Sequence, residues 1–372
     1  MKTGSSPLLH TLIIREFLFP FIFAVIALSF LFLLARLFSY MQILLMAGIG
    51  MMEFIKFILF MIPMFLGFVI PISAMLGVLV CFSRLTQDNE TIALFACGIG
   101  PDRLLRPLTL IAVFTMATTF ILYSTLVPYA KRNIREIKQQ ITEEGFMRGL
   151  PDKQFFSPQK GFTFFIHESY AGGKKFKGIF IRDSRKTDLS YYIMARKGHL
   201  AIEPSTRQVV LNLDDGTLVR IPQDYQGVDT IQFKRYVLSL TSETTQSKRL
   251  KRGEMFLPQL WNTINSHILH GKDLAKYKLE FHKRIGISFG SMAMILLSAP
   301  LAIFFGRGGM ASGIFPGVLA FLLYYLLMVS FGGFATGGAI PPWLAVWIPN
   351  LVLSVAAIVA YRQLMNRGPN WR

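Results

Sequence analysis

Residues 85–101 read LTQDNETIALFACGIGP, a short, mostly polar break between two long apolar segments. The stretch carries its own start and stop. Thr86 or Asp88 is placed to accept hydrogen bonds from the first free backbone N–H groups, Asp88 and Glu90 set negative charge at the positive end of the dipole, and Gly98 with Pro101 ends the turn. The expectation is a helix over 85–98. Ile92, Phe95 and Ala96 fall at i, i+3 and i+4 and make an apolar face, while Asp88, Glu90 and Thr91 lie before it on the solvated side. Such a face either floats on a membrane surface or docks into a groove on a cytoplasmic protein, and residue types alone leave both open.

Outward from this break the chain is apolar. Of 372 residues, 52% are hydrophobic and 16% charged, and Phe occurs 34 times, which identifies an integral membrane protein. The net charge of +18 does not point to nucleic acid, because the basic residues concentrate in one central block between hydrophobic spans; anionic lipid is the better partner. Cys81 and Cys97 lack zinc-ligand spacing and imply no disulfide framework. The first apolar run has no small-residue cleavage site and is too long for a signal peptide, so it is expected to remain as a span.

Between Phe17 and Ser83 the only charged residues are Arg36, Glu53 and Lys56, enough apolar chain for two spans. Residues 103–127 form a third, and apolar runs at 285–305, 311–333 and 342–361 give three more, so six helices are expected in a three-plus-three arrangement. Lys2, Arg15, Arg84, Arg103, Arg106, Arg307, Arg362, Arg367 and Arg372 fall on one side, which the positive-inside bias makes the cytoplasm. Both termini are therefore expected there. The central block is expected on the other side, the periplasm of a double-membraned bacterium. Within it, a charged helix over 129–144 continues the third span. Segments of partial alternation follow at 161–169, 176–184, 190–202, 208–221 and 228–240, divided by turn residues, and suggest a small antiparallel sandwich or jelly roll. The expected division is 1–128 for the first three helices including the cytoplasmic helix 85–98, 129–257 for the β domain with its leading helix, and 258–372 for a connecting helix and the last three spans.

Mechanism is constrained by what the spans lack. Glu16, Glu53, Asp102 and Glu280 sit at span ends and no carboxylate lies within an apolar core, which disfavours ion-coupled transport. No GxxxxGK[ST] loop occurs, so any ATPase is another chain, and the 85–98 helix reads as its docking peg. Arg36 comes about 20 residues after the cytoplasmic start of its helix, roughly one hydrocarbon thickness away. Lys56 reaches a similar level on the second helix. Two cations there suit a lipid phosphate, with snorkelling of Arg36 and pairing of Lys56 to Glu53 as the plain alternatives. Gly286 with Gly290 and Gly313 with Gly317 form GxxxG pairs that permit close helix approach. His167–Glu168 starts a zinc-protease motif, but Ala171 stands where the second His belongs. No metal, cofactor or catalytic residue is expected.

The three-plus-three order around an extracytoplasmic β domain, with NETIALFACGIGPDRLLRPL after the second span and KYKLEFHKRIGISFGSMAMILLSAPLAI, GRGG and GAIPPWLAVWIPNLV later, resembles the LptF/LptG family of lipopolysaccharide export permeases over nearly the whole chain. The ACG at 96–98 is more like its LptF branch than its LptG branch. The resemblance implies a heterodimer with an LptG-like (or LptF-like) permease partner, bound to a dimer of the ATPase LptB in the bacterial inner membrane. It implies docking of the 85–98 helix on that ATPase, with Glu90 at the family's acidic position, and lipid contact at Arg36. It also implies gates from the first and fifth spans, and delivery of lipopolysaccharide through the β domain to LptC and LptA. A non-transporting scaffold or sensor, or an ion-driven lipid flippase, are the competing classes.

Overall fold

The computed structural model describes residues 7–46, 51–148, 153, 155–159, 161–171, 173–184, 189–203, 208–222, 229–239, 250–266 and 268–367. In chain order the helices are α1 (Pro7–Met46), α2 (Met51–Gln87), α3 (Glu90–Ala96), α4 (Pro101–Ile121), α5 (Val127–Arg148), α6 (Leu257–Asn265), α7 (Gly271–Phe305), α8 (Met310–Gly337) and α9 (Pro342–Arg367). A π-turn, Leu122–Leu126, joins α4 to α5. Pro128 has no N–H to offer the Ser124 carbonyl four residues back, and the widened turn absorbs the missing bond without ending the helix. Six stretches are long and apolar enough to cross a membrane, with α4, the π-turn and the start of α5 making the third. The chain is a multi-pass membrane protein with a β domain between its third and fourth spans.

Packing divides it into two compact units, one of Met1–Ala35, Ile58–Asn133 and Leu250–Arg372 and the other of Arg36–Phe57 and Ile134–Arg249. In the first, Ile13 and Phe17 of α1, Val78, Leu79 and Phe82 of α2, Leu104 and Leu108 of α4, and Ile295 and Ile303 of α7 form one buried core. The spans share it unequally. In α2 and α7, 61% and 67% of the apolar window is buried, against 6% in α1 and 11% in α8, so the first two are the packed centre and the other two its periphery. Lipid tails are as apolar as leucine, so burial alone does not hold helices together in a bilayer, and close approach at small residues must. At Gly286 and Gly290 of α7 an added Cβ would lie 2.1 Å from Val346 Cγ1 of α9 and 2.3 Å from the Tyr324 hydroxyl of α8. Tyr324 donates to Asn350 Oδ1 at 3.3 Å, and Asn350 returns its amide to the Val346 carbonyl at 2.8 Å.

A second device closes this unit where the chain enters from the β domain. The segment 251–259 holds only a short 3₁₀ turn before α6, so its carbonyls need donors from elsewhere. Arg284 of α7, 2% exposed, donates to the Met255 carbonyl at 2.7 Å, to the Arg252 carbonyl at 3.1 Å and to Glu280 at 3.3 Å. Arg132 donates to the Glu254 carbonyl at 2.6 Å and stacks its guanidinium 4.3 Å from the centre of the Phe256 ring. Two helices thus grip one returning strap.

The second unit contains one antiparallel sheet of β1 (Phe155–Gln159), β2 (Phe162–Tyr170), β3 (Lys175–Asp183), β4 (Leu189–Glu203), β5 (Gln208–Pro222) and β6 (Asp229–Ser239). Phe164 lies opposite Ile181, Ile181 opposite Ile193, and Ile193 opposite Leu218, so a row of large apolar residues crosses four strands on one face. These four are all buried. The six strands pair in sequence order. Among the described residues the topology is therefore a meander, each strand pairing with the one before it in the chain, without the crossed strand order that marks a jelly roll. β1, which was not expected, carries Pro158 and takes an edge position, where a missing N–H costs no ladder bond.

The contrast between buried and exposed arginine is testable. Arg284→Met leaves the Met255 and Arg252 carbonyls without these donors and Glu280 without its cation, and should cost about 3 kcal/mol in equilibrium unfolding in detergent. Arg84→Ala, which removes a pair at a half-exposed side chain, should cost no more than about 1 kcal/mol in the same measurement.

Candidate functional site

The polar break between the second and third spans folds differently from its expected form at one end and as expected at the other. α2 continues through Gln87, so the helix over 85–98 is instead the last turn of α2 followed by the seven-residue α3. The cause is Thr86, whose hydroxyl donates back to the Phe82 carbonyl at 2.8 Å within α2 rather than capping a new helix. Asp88 is likewise no cap; it pairs with Arg84 at 3.5 Å, one turn behind. The chain reverses at Asn89, φ 58°, a left-handed conformation that asparagine tolerates better than most residues. The closing end follows the expected chemistry. Gly98 sits at φ 79°, its N–H bonds to the Phe95 carbonyl and that of Ile99 to the Leu94 carbonyl, both at 3.0 Å. Pro101 then opens α4 at its first position.

The faces of α3 are also reassigned. Thr91, expected in solvent, is fully buried, with its hydroxyl 3.3 Å from that of Thr86, so α3 is tied down onto the last turn of α2. Phe95 is partly buried against the core of the first unit, together with Leu94 and Ile99. Ile92 is half-buried. Asp88, Glu90, Ala93 and Ala96 are exposed. A helix this short has too few bonds to stand alone, so it uses its largest apolar residues to fix itself to the bundle and leaves a small, acidic face outward.

What lies beneath this elbow is the more informative part. An added Cβ at Gly313 of α8 would come 2.1 Å from Ser83 Oγ of α2, and one at Gly317 would come 2.3 Å from Leu79 Cδ1. At Gly306, in the turn joining α7 to α8, it would lie 3.2 Å from the Ser83 Cα. Three glycines therefore seat the end of α2: Gly313 and Gly317 admit the Ser83 and Leu79 side chains where a methyl group would force a shift, and Gly306 lies close against the Ser83 backbone. The same end of the unit brings Arg84 against Glu16 of α1 and Arg106 of α4 beside Arg362 of α9 around one groove, as the one-sided distribution of basic residues implied.

The pairs Gly313/Gly317 and Gly286/Gly290 thus serve two different joints, α8 on α2 and α7 on α9. Arg36 and Lys56 are exposed and fall in the second unit. The sequence reading missed Ser83 and Gly306, whose only prior signal was small residues near two helix ends, and missed Leu79, Arg284, Asn350 and Tyr324 altogether. Among the described residues no cluster of His, Cys, Asp and Glu could hold a metal ion.

Comparison with known proteins adds to this geometry. The family model described as "Lipopolysaccharide export system permease LptF/LptG" matches residues 11–363. The lipopolysaccharide export system permease protein LptF of Escherichia coli K12 is 25% identical over 303 residues, 80% of this chain and 79% of that protein. The protein of the same description from Shigella flexneri matches to the same extent. An uncharacterized protein of Rickettsia prowazekii is 24% identical over 245 residues, 64% of this chain and 66% of its own length.

The glycine joint makes a graded prediction. Gly313→Leu and Gly317→Val force α2 and α8 apart and should cost about 1–3 kcal/mol in unfolding experiments, as overpacking does. Gly333→Ala, where an added Cβ meets nothing within 4 Å, should change stability by less than about 1 kcal/mol.

Proposed function

The chain belongs to the LptF/LptG family of lipopolysaccharide export permeases, and from that membership we propose that it is one half of an ATP-driven transporter that lifts lipopolysaccharide from the outer leaflet of the bacterial inner membrane. We assign it to the LptF side, paired with an LptG-like subunit. It carries no ATP site of its own; hydrolysis belongs to a dimer of LptB on the cytoplasmic face.

The observation that carries this reading is the seat of α2 on Gly306, Gly313 and Gly317. Closure of the ATPase dimer pushes on the exposed acidic face of the elbow, at Asp88, Glu90 and Ala96. α3 is bonded to α2, α2 is wedged against α8, and so the push reaches α8 without slack. α8 and α1 are the two spans least buried within this subunit, which suits them to face the partner and open or close a lateral gate. Lipopolysaccharide enters there, and the exposed cations Arg36 and Lys56 suit its phosphates. Narrowing of the space between the two subunits drives it outward, and the apolar sheet face of the β domain supports shielding of acyl chains on the way to LptC and then LptA.

The test uses residues that are exposed, so folding is spared. Ala96→Arg and Glu90→Lys should each weaken the hold on the ATPase by about tenfold or more, the equivalent of about 1.4 kcal/mol. The readout is the amount of ATPase co-purifying from native membrane, with an unchanged melting temperature as control. If wild-type material brings no ATPase, or export stops when the proton gradient is dissipated at constant ATP, the proposal fails.

A further inference from the structure

At the end of the first unit that carries the elbow, α4 and α9 each pack along α7 but scarcely meet each other. The gap between them is a groove of about 520 Å³. Its floor is Leu296 of α7, and its walls are apolar, with Leu105 and Leu108 on α4 and Ile358 on α9. Its rim is not. Arg106 stands on one side and Arg362 on the other, with the Tyr361 ring alongside.

The rim charge is incompletely matched. Asp102 also lines the groove, but it approaches Arg106 only to 3.9 Å, and both side chains are about half exposed. Arg362 is exposed and has no ion-pair partner among the described residues. Two guanidinium groups thus face one carboxylate above an apolar trough. This is the arrangement that takes a phosphodiester head between two planar donors and an acyl chain between the helices. A soluble anion would leave the trough unfilled, and an uncharged lipid would leave the arginines unmatched.

We propose that this groove between α4 and α9 binds an anionic phospholipid of the cytoplasmic leaflet, with the phosphate held by Arg106 and Arg362. The choice of leaflet rests on the orientation in the proposed function, where lipopolysaccharide is drawn from the opposite leaflet; the groove is therefore a separate lipid site, not a stage on the export route. Its position gives it a consequence. Asp102 and Arg106 belong to the first two turns of α4, directly after the closing residues Gly98–Pro101 of the elbow, so a seated head group braces the helix against which the elbow turns.

Native mass spectrometry on the purified complex, after exchange of bound lipid, tests this with phosphatidylglycerol as the anionic probe and phosphatidylcholine as the zwitterionic one. Phosphatidylglycerol should be retained in preference. Removal of a basic residue near an anionic head weakens binding by about fivefold, so Arg106→Gln with Arg362→Gln should weaken it roughly 25-fold. Arg362→Glu, a single exchange at an exposed position, should abolish the preference with the melting temperature unchanged. Equal retention of the two lipids, unchanged phosphatidylglycerol binding in the double variant, or displacement of phosphatidylglycerol by equimolar lipopolysaccharide would each overturn the site. Binding is read without export or ATPase association, so a failure here is distinguishable from a failure of the transport reading.

Discussion

Two helices in a bilayer slide on one another unless small residues let them approach closely, and in this protein Gly313 and Gly317 of α8 admit the Ser83 and Leu79 side chains of α2 while Gly306, in the turn before α8, lies against the Ser83 backbone. Apolar side chains cannot make that joint, because a leucine loses little by exchanging a protein neighbour for a lipid tail. Close approach at glycine gives many short contacts over a small area, each lost at once if the helices separate. The proposed transmission of force from an elbow in water to a span in lipid depends on this seat, and so does the choice of α8 as the element that moves.

The unit uses polar bonds where the chain leaves the apolar interior and small residues within it. The strap at 251–259 is held by Arg132 and Arg284 through backbone carbonyls, a contact that is directional and resists torsion. Deeper in, Asn350 and Tyr324 satisfy one another beside Gly286 and Gly290. α7 is thus fixed at its strap and at α9, and α2 is fixed on the turn that follows α7. Around this centre α1 and α8 keep broad apolar surfaces exposed, Phe19, Phe23 and Phe30 on one and Phe315, Leu319 and Leu326 on the other.

Much of this was legible in the residues, though unevenly. Six spans follow from apolar runs that no soluble helix matches, and the sheet follows from alternation interrupted by turn residues. The N-terminal edge of the elbow was misread, because Thr86 as a cap and Thr86 bonded back to Phe82 are the same residue in two conformations, and only the position of the neighbouring helices selects between them. Thr91 looked polar and is buried for the same reason: its partner, Thr86, sits on another helix. The glycine pairs were visible as patterns, but their partners Ser83 and Val346 lie far along the chain, Val346 with a whole span between, and carry no mark of the contact. Arg284 read as an ordinary charge at a span boundary, since the carbonyls that it serves belong to a segment with no sequence signature. Strand order was open too, because alternation sets which face is buried and says nothing of which strands are neighbours.

A cysteine pair placed across the joint, Ser83→Cys with Gly313→Cys in a Cys97→Ser background, probes the seat most directly. If α2 and α8 move as one piece, oxidation leaves ATP-driven lipopolysaccharide export at close to its reduced level. Export lost on oxidation and restored by a thiol reductant, with ATP hydrolysis unchanged throughout, would mean that α2 slides over α8 during the cycle and that force takes another route.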